Sequence, residues 1–365
     1  LGLRNRRMVV GLGPVLLLGL LPFLGGQRFA VFSAPMIGIG LGWAVDALAK
    51  KIPAGRWHFV WVSVMCAFLV SPAISAVARR TDWPIMTPQA IHGMEQVAPL
   101  LPENSVVWSW WDNGYHLMYY TGRATIEDGG CFRVPAFNAF PLCVSDERLA
   151  ANYMSFYASR GEERVEWAYK KYGSELIHQL LAAGPREGVK VLADFGHKPA
   201  RETIDFFFPP ENERRPVFLF LDHIYLHTGY WWFWYGSKWS ESQDQHPVFK
   251  VFYSIREAEG QLTGNPDFTI NLATGVMQFE GQSHRLNRVL ARRPENVKAY
   301  EYSGGSGLVF EYDTKKNFGL LCSSPVADSM FSRLFFFDRG RYDHFELILS
   351  NTPHVQCWRV QPDLP

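Results

Sequence analysis

The chain has 365 residues, with 36 lysines and arginines against 35 aspartates and glutamates and a formal charge of +1. That balance gives no global argument for nucleic acid or another polyanion as a partner, and none is expected; the length exceeds a single compact domain. Mean hydropathy of −0.09 averages two unlike regions, an apolar opening of about 80 residues and a more polar remainder.

Residue 1 is Leu, and LGLRNRR lacks the charged, apolar and small-residue succession of a signal peptide. The sequence therefore reads as the later part of a longer chain. Residues 8–25, 29–49 and 58–77 are apolar runs. Each is long enough to cross a hydrocarbon core of about 30 Å, so residues 1–80 are expected to form three transmembrane helices. Arg4, Arg6 and Arg7 before the first run, and Lys50, Lys51 and Arg56 before the third, place both flanks in the cytoplasm. Everything after residue 78 then lies outside, although Arg79 and Arg80 run against that rule. Three buried helices of a soluble protein are the alternative.

From residue 81 the texture is globular. TPQAIHGMEQVAPLLPE predicts a helix capped by Thr87 and ended before Pro102. The alternation of Ser105–Trp110 predicts a strand, with Trp111-Asp112-Asn113-Gly114 as the turn at its end. YHLMYYTG predicts a short helix closed by Gly122. Residues 146–173 and SELIHQLLAAG read as helices, VKVLADF and PVFLFLDHIYL as strands. Alternating elements of this kind predict a mixed α/β core over 81–247. Residues 248–318 are short strands separated by turn residues, a small antiparallel β insert. Residues 319–365 are expected to return to the core. Ser303-Gly304-Gly305-Ser306-Gly307 lies between two of the strands and reads as a hairpin loop rather than a phosphate cradle.

The five cysteines, Cys66, Cys131, Cys143, Cys322 and Cys357, form no CxxC pattern. Cys66 sits in an apolar run as a small hydrophobe. Cys131 with Cys143, and Cys322 with Cys357, are open either as disulfides or as buried thiols. His223 and His227 stand four apart beside Asp222, the spacing of metal ligands on one helical face, but without a glutamate in the HExxH position. Residues 228–239, TGYWWFWYGSKW, are an aromatic cluster suited to core packing, to a membrane interface, or to a sugar or peptide surface.

Trp110, Trp111 and Asp112 carry the sharpest chemistry. An indole donates one hydrogen bond and accepts none, whereas an ionised carboxylate only accepts. Two indoles and one carboxylate thus match a hydroxyl group: donors for its lone pairs and an acceptor for its proton. A site so built would reject a ligand lacking that hydroxyl. Packing of both tryptophans into a core, with Asp112 as a helix cap, is the other reading.

WWDNGYHLMYYTGRATIEDGG resembles the WWDYG region of the oligosaccharyltransferase catalytic subunit, in its bacterial single-subunit (PglB-type) form. The likeness includes Arg123-Ala124-Thr125 and Asp128-Gly129-Gly130. Gly26-Gln27-Arg28-Phe29 followed by Pro35 is similar to a segment opening one of that family's last membrane helices. MFSRLFFFDRGRYDHFELILSNTPHVQCWRV looks like the bacterial C-terminus. The resemblance implies transfer of a glycan from a polyprenyl-diphosphate lipid to the Asn of an Asn-X-Ser/Thr sequon.

By that resemblance Trp110, Trp111 and Asp112 bind the +2 Ser/Thr hydroxyl, the role their donor and acceptor count suggests independently. Arg28 contacts the lipid diphosphate, whose oxygens suit a guanidinium. Two positions depart from the family pattern. Asn113 stands where the family has Tyr, and no clean MxxI motif follows the core strand. Tyr225 and Thr228 occupy the nearest register and are a weak second sequon contact. Arg133 and Arg148 are candidates for reading position −2.

The resemblance further implies Mn2+ or Mg2+ as cofactor. Its ligands and the catalytic carboxylates are expected upstream of Leu1, so the chain by itself is expected to be inactive. It also implies sequon-containing acceptor proteins, a lipid-linked oligosaccharide and membrane lipid as partners. The place it implies is a bacterial inner membrane, multi-pass, with the C-terminal domain in the periplasm. Two other classes stay open: a membrane-anchored, non-catalytic peptide- or glycan-binding module, and a metal hydrolase built on His223 and His227.

Overall fold

A computed structural model describes residues 34–51, 55–79, 86–128, 134–198, 201–238, 247–292, 297–313, 315–336, 341–352 and 354–365. The chain divides at Pro84/Ile85 into two compact units.

In the first unit, α1 (Ala34–Ala49) and α2 (Arg56–Arg79) carry apolar side chains that face outward. Among them, Phe59 and Phe68 are more than three-quarters exposed, at 78% and 76%. Among the described residues no helix is long and apolar enough to cross a membrane. α1 has 16 residues, short of the roughly 20 that a span needs. α2 has 24 residues but carries His58, Ser63, Ser71 and an internal Pro72, and does not qualify either. The spans expected at 29–49 and 58–77 are therefore not supported. The run at 8–25 and Arg28 lie outside the described residues.

The second unit opens with α3 (Pro88–Val97). Thr87 caps it as its sequence predicts, its hydroxyl accepting from the Ala90 N–H at 3.2 Å. β1 (Val106–Trp108), a single 3-10 turn over Trp111–Asn113, α4 (Gly114–Thr121) and β2 (Ala124–Thr125) follow. Then come α5 (Pro135–Cys143), α6 (Glu147–Arg160), α7 (Glu162–Tyr172), α8 (Ser174–Asp194), α9 (Arg201–Phe207), β3 (Val217–Asp222) and α10 (His223–Ser237).

Residues 146–173 are helical as expected, interrupted where Gly161 at φ 76° ends α6 and begins α7. One expectation here is corrected. VKVLADF is not a strand. It is the second half of α8 beyond a kink at Gly184 (φ 80°) and Pro185. Buried Gly184, Gly188 and Leu192 recur every four residues there, a helical period that outweighs the strand-like valines.

The strands β4 (Phe249–Ala258), β5 (Gln261–Asn265), β6 (Phe268–Asn271), β7 (Val276–Phe279), β8 (Gln282–Arg285), β9 (Arg288–Arg292), β10 (Val297–Glu301), β11 (Leu308–Asp313) and β12 (Phe318–Ser323) come next. α11 (Ser324–Ala327), α12 (Met330–Phe336), β13 (Phe345–Asn351) and β14 (Val355–Val360) close the chain.

One sheet has the order β13-β14-β3-β1-β2. β1 lies parallel to both β2 and β3, while β14 runs antiparallel to β3. β3 is buried at every position, as expected of a strand covered on both faces. Its Val217, Leu219 and Leu221 join the large core formed with α5, α6, α8 and α10. Its Phe218 and Phe220 join a smaller core with Ala90, Met94 and Val97 of α3.

The second sheet has the order β10-β9-β11-β12-β4-β5-β6-β7-β8 and spans residues 249–323. Phe252, Phe268, Phe279 and Phe310 cluster in its own core. It is antiparallel except where β9 and β11 run parallel. Residues 303–307 are consequently not a hairpin loop: they carry the chain from β10 past β9 to β11. The Asn287 carboxamide accepts the Gly307 N–H there at 2.6 Å. β11 and β12 belong to both cores. Val309, Phe318, Leu320 and Cys322 face the large one, and Phe310, Tyr312 and Leu321 the small one.

Candidate functional site

The parallel strands β1, β2 and β3 all end on one edge of the first sheet. Trp110–Asn113 follows β1, Ile126–Asp128 follows β2, and Asp222 closes β3 at the head of α10. Ligands of α/β sheets settle at such carboxyl ends. The three segments touch. A Cβ on Gly114 would stand 2.3 Å from the Glu127 carbonyl oxygen and 2.6 Å from Asp128 Cα, so only glycine permits this approach.

Within the turn, Trp110 is buried against Trp111 and Tyr235, with ring centroids at 6.3 and 6.5 Å. Trp111 and Asp112 are half-buried. Trp108, Trp232 and Trp358 spend their indole N–H groups internally, on the Asn138 carbonyl, the Tyr225 carbonyl and the Gln356 side chain at 3.0, 3.0 and 3.1 Å. Trp110 makes no such bond among the described residues. The structure thus brings together the three residues singled out from sequence, at the open end of the sheet.

Behind them lies a buried polar network with no counterpart in the sequence reading. Asn113 donates through Nδ2 to Ser109 Oγ at 3.2 Å and to Asp222 Oδ1 at 3.1 Å. The same Asp222 oxygen caps α10 by accepting the Ile224 N–H at 3.1 Å. Burial pushes the Asp222 carboxyl up to about 7, against the pull of Asn113 and of the Ile224 and Tyr225 N–H groups, with nearby Asp112 adding to the rise. Asn138 donates to the Ser109 carbonyl at 3.0 Å. The strand expected over PVFLFLDHIYL stops at Asp222, whose side chain starts α10; an aspartate after an apolar run is the signal that could have marked the change. Nothing local marks the Asn113 and Asn138 partnerships.

Tyr225 is fully buried, and its hydroxyl lies beside Ser109 and the Trp110 backbone. It supports the turn from within. Thr228 returns its hydroxyl to the Ile224 carbonyl at 2.8 Å. Arg148 is engaged by the C-terminal tail, pairing with Asp363 at 2.7 Å and donating to the Ala183 carbonyl at 3.1 Å. Arg133 lies outside the described residues.

The aromatic cluster divides by helical period: Trp232 and Phe233 enter the core, while Tyr230 and Trp231 face outward.

His223 and His227 do not build a metal centre. Their rings stand 6.0 Å apart, and burial beside His227 and His354 lowers His223 to about 4. Among the described residues no three His, Cys, Asp or Glu side chains gather to hold a metal ion. The residues present therefore do not fit the divalent cation that the resemblance implies. Of the two alternatives left open for the cysteines, the structure shows buried thiols: Cys143, Cys322 and Cys357 are free, and Cys322 and Cys357 form no disulfide. Cys131 lies outside the described residues.

Residues 103–210 match the model of the STT3/PglB/AglB core domain. The chain is 24% identical over 207 residues to an undecaprenyl-diphosphooligosaccharide–protein glycotransferase of Campylobacter jejuni (strain RM1221), covering 52% of this chain and 29% of that protein. It is 30% identical over 117 residues to a dolichyl-phosphooligosaccharide-protein glycotransferase of Methanocaldococcus jannaschii, covering 32% of this chain and 12% of that one. It spans under a third of the length of these relatives. The crystal structure of the C. jejuni PglB C-terminal domain superposes with a TM-score of 0.51 at 15% identity. That match covers 74% of this chain and 99% of the domain and shows a shared fold. Over residues 103–210 the chain is thus similar to the STT3/PglB/AglB core domain, and its wider fold to the PglB C-terminal domain.

Proposed function

We propose that the chain serves protein N-glycosylation as part of an oligosaccharyltransferase, and that its own contribution is to hold the acceptor. Trp110, Trp111 and Asp112 grip the +2 Ser or Thr hydroxyl of an Asn-X-Ser/Thr segment. One observation carries this reading: the motif stands at the carboxyl end of parallel β1, with the Trp110 indole N–H unspent among the described residues and Asp112 beside it. A ligand hydroxyl supplies the acceptor that Trp110 lacks and the donor that Asp112 takes.

The donor in this proposal is a polyprenyl-diphosphate-linked oligosaccharide, with Arg28 on its diphosphate. Mn2+ or Mg2+ would be held by residues other than those described here, so no step is assigned to it. The outward-facing apolar side chains of α1 and α2 support a lipid setting for the first unit, with the second unit in the periplasm. Tyr225 is a supporting residue of the grip. The 365-residue chain by itself binds acceptor without transferring glycan.

The test is fluorescence anisotropy with a labelled peptide containing Asn-X-Thr, and its partner with Ala at +2, on detergent-solubilised protein. The Thr peptide is expected to bind at least about tenfold more tightly, a difference of roughly 1.4 kcal/mol. Equal binding of the two peptides overturns the reading. Glycan transfer by the chain alone, assayed with lipid-linked oligosaccharide, would overturn its division of labour.

A further inference from the structure

The acceptor-binding turn follows β1 and the helix bearing Tyr225 and Thr228 follows β3, over one hundred positions later in the chain. Nothing in backbone pairing fixes the turn against that helix, because the ladder between β1 and β3 stops at Trp108 and Leu219. Side chains span them instead, among them the bond from Asn113 Nδ2 to Asp222 Oδ1, between residues 109 apart in sequence. Both side chains are fully buried.

We propose that Asn113 and Asp222 are positioning residues for acceptor recognition, holding the Trp110–Asp112 turn in register with the head of α10. The proposal rests on the acceptor-binding reading of that turn. Asn113 immediately follows Asp112, so its amide sets where the Asp112 carboxylate points. Asp222 is itself pinned by the Ile224 N–H at 3.1 Å, so it cannot swing away to follow a shifted turn. Ser109 closes the arrangement by accepting the same Asn113 amide at 3.2 Å. One carboxamide thus ties the end of β1, the turn and the head of α10 into one rigid piece. A site must be held to within about 0.5 Å to keep its selectivity, and buried side-chain networks are how folds achieve this.

A second observation points the same way. Asn113 Oδ1 and Asp222 Oδ2 are buried with no hydrogen-bond partner among the described residues. Burying such an acceptor unpaired is unfavourable. An apolar pair of equal volume would avoid that cost, so stability alone does not explain the pair. Asn113 is also the position at which this chain departs from the tyrosine of the motif it resembles. The departure matters here because only an amide, not a phenol, can donate to Ser109 and Asp222 through one nitrogen.

The experiment measures affinity for the Thr peptide and its Ala-at-+2 partner, with near-UV circular dichroism to confirm the fold of each variant. Asn113→Ala is expected to weaken Thr-peptide binding at least about tenfold and to shrink the Thr/Ala ratio. Asn113→Asp sets two buried carboxylates against each other and is expected to do the same. The exchange variant, Asn113→Asp with Asp222→Asn, restores an amide–carboxylate pair and is expected to bind within about threefold of wild type.

A folded exchange variant that stays tenfold weak overturns the proposal. So does a folded Asn113→Ala variant with wild-type affinity while Asp112→Ala fails to bind; that outcome leaves the acceptor-binding reading standing. Wild-type protein that does not distinguish Thr from Ala at +2 overturns both. Where Asn113→Ala does not fold, the exchange variant decides alone, because a purely structural bond would be restored in Tm without restoring the Thr/Ala ratio.

Discussion

Trp108 and Asn138 are locked reciprocally across the large core. The Trp108 indole N–H donates to the Asn138 carbonyl at 3.0 Å, and the Asn138 amide donates to the carbonyl of Ser109 at 3.0 Å. The pair pins α5 to the last residues of β1, directly beneath the turn that carries Trp110–Asp112.

Asn138→Ala should lower stability by about 1–3 kcal/mol, since it leaves the buried Ser109 carbonyl without its donor. Urea unfolding followed by tryptophan fluorescence measures it. A variant within about 0.5 kcal/mol of wild type would show that the pair is not a structural lock.

Glu127 makes stability depend on pH. It is buried, neither carboxylate oxygen has a hydrogen-bond partner among the described residues, and burial followed by nearby Glu162 raises its carboxyl from 4.5 to about 8. Between these values the unfolded chain has released the proton and the folded chain retains it. The folded state therefore binds more protons, and stability falls as pH rises from about 4.5 to 8. Glu127→Gln removes that penalty. It should stabilise the protein by about 1–3 kcal/mol at pH 8 and little at pH 4. Tm values across that range decide the matter: parallel curves for wild type and variant would contradict it.

Burial pushes the thiols of Cys143 and Cys322 well up, and that of Cys357 to about 12. The thiolate is the reactive species. Maleimide labelling of the native protein at neutral pH, read by peptide mass spectrometry, should therefore miss all three, and unfolding in urea should expose them together. Labelling of any one without unfolding would place it at the surface.

Asp112→Ala together with Trp110→Ala should abolish binding of the Thr peptide while leaving association with lipid-linked oligosaccharide unchanged. Trp110 reaches into the core, so the double variant should also lose about 2–4 kcal/mol of stability. Asp112→Ala alone, at a half-buried position, separates the two effects by losing peptide with little change in Tm.

Tyr225 and Asp222 show how far local pattern reaches. The apolar run PVFLFLDHIYL reads locally as one strand, whereas β3 stops at Asp222, whose side chain caps α10. That Tyr225 would then be fully buried behind the turn follows only from α10 packing against α5 and Phe331. The same limit explains VKVLADF. Its valines favour a strand, whereas only Leu192 of the segment is buried and Val189 is exposed, the one-sided burial of a surface helix.

What the sequence by itself determined is local and chemical. It sets the capped helix at Thr87, the β1 strand and its turn, the run of insert strands, and the donor and acceptor count of Trp110-Trp111-Asp112. These follow from residue type and short-range spacing, which the chain carries wherever it folds. Only the tertiary structure decided which polar groups meet. The Asn113–Asp222 bond, the buried Glu127, the parallel passage of β9 beside β11 and the free state of Cys322 and Cys357 all join segments distant in sequence. Such contacts are fixed by strand order and by burial of apolar faces, and neither is written at the positions that make them.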